Sequence, residues 1–273
     1  MSAPRAALSD PSEQSRHNNG IWAGGDFVAG YATRLLRPVE VMLLIRYRDA
    51  FAGRVLEIGC GAGRVTSYIV QLGGDVLGMD LSPRMIEFCR RTYPGADYRV
   101  GDLRDLAAIG GPDFDVVFMG NNVIDVLDDA ERRQTLSRLA EQVLAPEGLL
   151  IMSSHNRANA PSIPGVIRAL GARGRVEALH RTPRVPWWIL NRSRLRRHEI
   201  QTASYAILND DAHDFRLLHY YIGRDRQEEQ FNELGYELLE CLDEDGRVVA
   251  RGEDAAAHGE LHYIAHRAGR ASL

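Results

Sequence analysis

Val55-Leu-Glu-Ile-Gly-Cys-Gly-Ala-Gly-Arg-Val-Thr66 is the stretch that decides the fold. Val55 to Ile58 is apolar apart from Glu57 and reads as a short buried strand. Gly59, Gly61 and Gly63 follow at alternate positions, and Val65, Ile69 and Leu72 then recur at helical spacing. A strand, a glycine loop and a helix in that order make the first turn of a nucleotide-binding βαβ unit. Glycine suits such a loop because the backbone must turn sharply and let a ligand approach where a Cβ would stand. The loop alone does not identify the ligand.

Spacing beyond the loop narrows it. A second strand, Asp75 to Met79, ends in Asp80, where a carboxylate can accept from ribose hydroxyls. A third, Tyr98 to Val100, runs into Gly101-Asp102-Leu103. The loop is Gly-Cys-Gly-Ala-Gly rather than the G-x-G-x-x-G of dinucleotide binders, which also lack an acid such as Glu57 inside the first strand. Taken together, the 55–64 run, the strand-ending Asp80 and Gly101-Asp102-Leu103 resemble the class I S-adenosylmethionine (SAM)-dependent methyltransferases. The resemblance is close over roughly residues 50–155 and looser beyond. It implies SAM as cofactor and an α/β, Rossmann-like fold: a seven-stranded, mostly parallel sheet with helices on both faces. It also implies that Glu57, Gly59, Cys60, Gly61, Gly63, Asp80, Leu81, Asp102, Leu103 and Asn121 hold the cofactor, with Asp80 on the ribose and Asp102 on the adenine amino group.

Composition sets outer bounds. The chain has 273 residues, 45% of them hydrophobic, enough for a large α/β domain with an insertion. A net charge of −4 makes no demand for nucleic acid or an acidic membrane. All 33 basic residues are arginine, which excludes Schiff-base and Walker lysine chemistry. Cys60, Cys89 and Cys241 are odd in number and widely spaced, so they suggest neither a disulfide framework nor a metal site. No apolar run reaches membrane-spanning length and no hydrophobic signal core opens the chain. The expectation is a soluble cytoplasmic protein, its oligomeric state left open.

Along the chain, residues 1–19 are rich in small and polar types and read as a frayed tail. Helical spacing over Phe27 to Leu36 and Val39 to Tyr47 forms a cap before the sheet, in which Trp22 and Tyr31 either contact a ligand or pack the cap onto the sheet. Ser82-Pro83 starts another helix. Phe114 to Met119 is a nearly continuous apolar strand, suited to a sheet centre, and opens into Gly120-Asn121-Asn122-Val123-Ile124-Asp125. Ligands of open α/β sheets sit beyond such carboxyl ends, so Asn121 and Asn122 either face the reaction centre or only cap a turn. The Pro-Pro-aromatic run of amino-methylating DNA enzymes is missing here. A helix over Asp128 to Leu144 leads to a fifth strand, Leu149 to Ser153, with His155 and Arg157 at its carboxyl end.

Residues 156–213 carry several prolines, Trp187-Trp188 and nine arginines from 168 to 197, and read as an inserted substrate lid with Trp187 as a candidate contact. The 20–155 and 214–273 segments then make the SAM-binding domain. Thr202 to Leu208 and Phe215 to Ile222 read as a hairpin, Asp225 starts a helix closed by Gly235, and Tyr236 to Leu242 with Leu261 to His266 are the last strands.

The methyl of SAM is already activated, so the protein's task is to hold a nucleophile in line with it. An amine need only be unprotonated, whereas a hydroxyl profits from a base; His155 is the candidate base and a candidate substrate contact. The sequence thus points to in-line methyl transfer to an N or O nucleophile of a small molecule in a biosynthetic pathway, with no metal and nucleic acid disfavoured. Two alternatives stay open: a peptide or other macromolecule docking on the arginine-rich insertion, and a SAM-binding protein without turnover.

Overall fold

A computed structural model describes residues 12–24, 27–109, 113–160 and 184–268. Its elements are α1 (Glu13–Gly24), α2 (Val28–Ala32), α3 (Pro38–Arg46), α4 (Arg48–Phe51), β1 (Arg54–Ile58), α5 (Thr66–Gln71), β2 (Asp75–Asp80), α6 (Pro83–Thr92), β3 (Asp97–Val100), β4 (Phe114–Met119), α7 (Asp129–Gln142), β5 (Leu144–Asn156), α8 (Val185–Leu195), β6 (Ile200–Gln201), β7 (Tyr205–Leu208), β8 (His219–Ile222), α9 (Arg224–Glu233), β9 (Tyr236–Leu242) and β10 (Glu260–Arg267).

β1 pairs in parallel with β2 and β4, β2 with β3, and β4 with β5. β10 lies antiparallel to both β5 and β9. The order β3-β2-β1-β4-β5-β10-β9 is therefore the expected seven-stranded, mostly parallel sheet. Successive residues of its strands feed opposite layers: Leu56, Val117 and Met119 pack toward α7 and α9, while Val55, Val116 and Phe118 pack toward α3, α4 and α5. A sheet buried on both faces needs apolar residues at every position, which is why these strands read as continuous runs rather than alternating ones. α7 is capped by Asp128, whose side chain accepts from the Glu131 N–H at 2.9 Å. Gly235, at φ +81°, closes α9 as expected.

Two expectations need correction. Residues 12–19 are not a frayed tail. Gln14, Ser15 and Asn18 are buried; Asn18 Nδ2 donates to the carbonyls of Val126 (2.9 Å) and Leu218 (2.8 Å), and Ser12 Oγ donates to Glu131 at 3.0 Å. Polar side chains dock this segment, so hydropathy carries no sign of it; residues 1–11 lie outside the described part. The second correction concerns the insertion. β5 continues past the end of β4, and its last residues, His155 and Asn156, pair with Tyr221 and Ile222 of β8. β8 continues antiparallel into β7, and β7 into β6. The expected hairpin thus exists but spans the 213/214 boundary, and it extends the sheet above the carboxyl end of β4. Residues 161–183 of the expected lid lie outside the described part.

Candidate active site

A cavity of about 230 Å³ opens beyond the carboxyl ends of β1, β2 and β4. Of the residues expected to hold a cofactor, Glu57, Gly59, Cys60, Gly61, Asp80, Leu81, Asp102, Leu103 and Asn121 line it, as do Trp22, Tyr31, Asn122 and His155 of the expected substrate contacts. Gly63 does not: a Cβ there would meet Tyr93 at 2.9 Å and Cys89 at 3.0 Å, so this glycine serves the packing of α6 against the loop. Arg157 points to the insertion, donating to the Thr202 carbonyl. Trp187 is 53% exposed on α8, while its neighbour Trp188 is buried against Phe215 with its indole N–H on Asp214 at 2.8 Å. Helical geometry turns adjacent residues to different faces, and the inward one is Trp188.

The glycine loop is built for close approach. Gly59 and Gly61 have φ of +70° and +54°. A Cβ on Gly59 would stand 2.4 Å from Val123, whereas one on Gly61 would meet only Tyr31 at 4.0 Å and would otherwise fill the cavity. Asp80 steadies the loop by accepting from the N–H of Gly61 (2.9 Å) and of Ser82 (2.8 Å). Burial raises its pKa, and those two bonds oppose the shift. Glu57 lies beneath the loop, receives the Thr66 hydroxyl, and is pushed up to about 8 by burial. Asp102 accepts from Arg104 Nη2 (2.6 Å), Arg104 Nε (2.9 Å) and Asn19 Nδ2 (2.9 Å). Burial works against its ionisation, but the Arg104 contacts outweigh it and its pKa is lowered.

The far wall carries chemistry that the sequence reading located only at His155. Asp125 is fully buried. Its Oδ2 accepts from the His155 backbone N–H (2.6 Å) and lies 2.7 Å from His155 Nδ1; its Oδ1 accepts from Ser154 Oγ (2.7 Å) and from Arg132. A carboxylate is acceptor-only, so Nδ1 carries the proton and Nε2 is left with the lone pair. Burial would lower the His155 pKa, but Asp125 prevails and raises it. Alongside stands a second pair: His219 Nδ1 lies 2.8 Å from Asp210 Oδ2, which also accepts the Tyr221 hydroxyl at 2.6 Å. The His155 and His219 rings stack with centroids 4.9 Å apart, and both line the cavity. His155, Asp210 and His219 offer ligand atoms within 4.8 Å of one another, and Asp210 Oδ2 is already engaged by His219 Nδ1 and the Tyr221 hydroxyl. Asp125 comes from a turn 30 residues before His155, whereas Asp210 lies nine residues before His219 and meets it across one hairpin.

Two buried polar atoms on the cavity wall have no hydrogen-bond partner among the described residues, Trp22 Nε1 and Asn122 Oδ1. Asn122, at φ +56°, donates its Nδ2 to Glu260 at 2.9 Å, which fixes which end of the amide is the acceptor. Trp22 sits in an aromatic group with Phe27 (5.2 Å), Tyr31 (6.3 Å) and His213 (4.7 Å). His213 opens a run of three non-glycine residues in the left-handed region, His213 to Phe215, and strain of this kind gathers at functional sites.

Known proteins resemble this chain in sequence and in fold. Residues 55–148 match the family model described as a methyltransferase domain. A ubiquinone biosynthesis O-methyltransferase of Xanthomonas oryzae pv. oryzae is 30% identical over 138 residues; the match takes in 49% of this chain and 56% of that protein, so the chain spans little more than half of that relative. The fold is shared with the CcbJ methyltransferase of Streptomyces caelestis (TM-score 0.60, 16% identity, 94% of this chain and 100% of that one). It is also shared with the 1,6-didemethyltoxoflavin-N1-methyltransferase of Burkholderia thailandensis (TM-score 0.57, 16% identity, 98% and 93%). Residues 55–148 are thus similar to a methyltransferase domain, and the chain shares the α/β, Rossmann-like fold of these two structures.

Proposed function

We propose that this protein is a SAM-dependent methyltransferase acting on a hydroxyl of a small molecule, with His155 as general base. The observation that carries the reading is the buried Asp125–His155 pair on the same cavity wall system as the Gly59–Gly61 turn and Asp80. The residues present suit the cofactor. The open space over Gly61 is a cradle that a side chain would fill, and each Asp80 oxygen spends one lone pair on the loop, leaving others for ribose hydroxyls. SAM supplies a methyl on a sulfonium and leaves as the neutral thioether.

The chain's own residues do the rest. Asp125 holds the imidazole with Nδ1 protonated, so that Nε2 can take a hydroxyl proton, and it stabilises the imidazolium that results. An amine acceptor would not call for such a pair, and this favours oxygen over nitrogen. Trp22, Phe27 and Tyr31 line the cavity with aromatic surface, against which a bound acceptor would displace water and strengthen each polar contact inside. A cavity of about 230 Å³ suits a small acceptor better than a macromolecule. Three of the described arginines of the insertion, Arg184, Arg192 and Arg197, already face Asp214, Glu199 and His198. We read the insertion as substrate cover and the protein as cytoplasmic, a reading that the three free cysteines suit; among the described residues no helix is long and apolar enough to cross a membrane.

The test combines metabolite fractions with methyl-labelled SAM and identifies the labelled product. His155→Asn keeps a donor for Asp125 and removes Nε2. It is expected to lower turnover by about 10²–10⁴-fold while SAM affinity stays unchanged. Wild-type turnover in that variant would overturn the role given to His155, and label found only on nitrogen would overturn the choice of acceptor.

A further inference from the structure

The Asp210–His219 pair has no task in the mechanism above, and the fold does not account for it. His219 and Asp210 are 5% and 4% exposed, and an isosteric apolar pair would serve stability as well as or better than a buried carboxylate–imidazole pair. Asp210 does brace the turn, accepting from the Ala212 N–H at 3.0 Å, but that bond uses Oδ1 and needs no histidine. His219 nonetheless reaches the cavity wall beside His155, with its Nδ1 committed to Asp210 and Nε2 therefore available as an acceptor. Tyr221 ties the two pairs together: its hydroxyl is on Asp210 and its ring lies 4.9 Å from that of His155.

Two parallel imidazoles, each backed by its own carboxylate, present two hydrogen-bond acceptors side by side. A ligand with one hydroxyl satisfies only one of them. The rest of the wall indicates the shape of the ligand. Trp22, Phe27, Tyr31 and His213 supply aromatic faces and edges, which suit a flat ring.

We propose that His219, held by Asp210, is a specificity-determining residue that accepts a second hydroxyl of the substrate, so that the methyl acceptor is an aromatic ring carrying two hydroxyls on adjacent or next-but-one carbons. One hydroxyl faces His155 and is the nucleophile; the other donates to His219 Nε2 and sets the ring's rotation in the cavity. No bond is made or broken at His219. The inference rests on the function proposed above and adds the substrate class to it.

The experiment is calorimetric binding of catechol, resorcinol and phenol to the full chain saturated with S-adenosylhomocysteine, for the wild type and His219→Asn. The asparagine amide keeps a donor for Asp210 and deletes the acceptor at Nε2. In the wild type the better of the two diphenols is expected to bind at least about tenfold more tightly than phenol, a difference of one hydrogen bond to a charge-backed group. In His219→Asn that ratio is expected to fall below about threefold, with the affinities for phenol and S-adenosylhomocysteine unchanged. A wild type without preference, a variant that keeps the preference, or failure of all three phenols to bind the loaded protein would overturn the inference; the wild-type comparison decides even where the variant does not fold. Failure of S-adenosylhomocysteine itself to bind would instead refute the proposed function, and the inference with it.

Discussion

Asp125→Asn probes the centre of the site. The four donors on Asp125 are divided between its oxygens, Arg132 and Ser154 on Oδ1 and the backbone N–H and Nδ1 of His155 on Oδ2. An asparagine amide must put its NH₂ at one of these places. Turned toward His155, it opposes a backbone N–H that cannot accept, and it forces the imidazole proton onto Nε2. Turned toward Arg132, it sets donor against donor. In either orientation Arg132, fully buried, loses the carboxylate it pairs with among the described residues and keeps Gln227 at 2.6 Å and the face of Tyr220 at 4.6 Å. Removing one partner of a buried ion pair costs about 3–5 kcal/mol, a large share of the ~5–15 kcal/mol by which a domain is stable. Urea unfolding with an unchanged slope should report that loss as a shifted midpoint. The His155 ring also responds. Its folded pKa is raised above the ordinary 6.5, so its contribution to stability is complete below 6.5 and is lost as pH rises through the raised value. In Asp125→Asn that decline should vanish, and NMR titration of His155 should show its pKa falling. A loss under about 1 kcal/mol together with an unmoved His155 titration would refute the account of Asp125 as the group that holds the dyad.

Three further outcomes follow from other parts of the molecule. Asp80→Ala should weaken SAM binding by about 1.5–3 kcal/mol, read by calorimetry, with unchanged affinity refuting its cofactor role. Glu57, raised from 4.5 to about 8, favours the folded state while protonated, so stability should decline as pH climbs from 4.5 through about 8; Glu57→Gln should flatten that slope in thermal melts taken across the range. Asn18→Ala removes the donor to the Val126 and Leu218 carbonyls and should cost about 1–3 kcal/mol per orphaned group, whereas an unmoved melting temperature would mean that α1 is not held through Asn18.

The scaffold and the glycine-loop side of the cavity are legible in the sequence. Buried parallel strands must be apolar at every position, and a loop that admits a ligand must be glycine where φ is positive; both demands are local and leave a mark at fixed spacing, as from Val55 to Gly61 and again at Asp80. His155 was legible for the same reason, because the end of a central strand is a place that topology fixes. What the tertiary structure alone decided is the company His155 keeps. Asp125 arrives from the turn after β4, while His219, Asp210 and His213 arrive from a hairpin that extends the sheet over the site, and a hydrogen bond between residues 30 apart has no periodicity to read. The docking of α1 was hidden likewise, since Ser12, Gln14 and Asn18 bind backbone carbonyls and a carboxylate rather than an apolar face. Apolar burial repeats along a chain and can be counted there; polar pairing is set by which distant atoms meet, and only the folded arrangement brings them together.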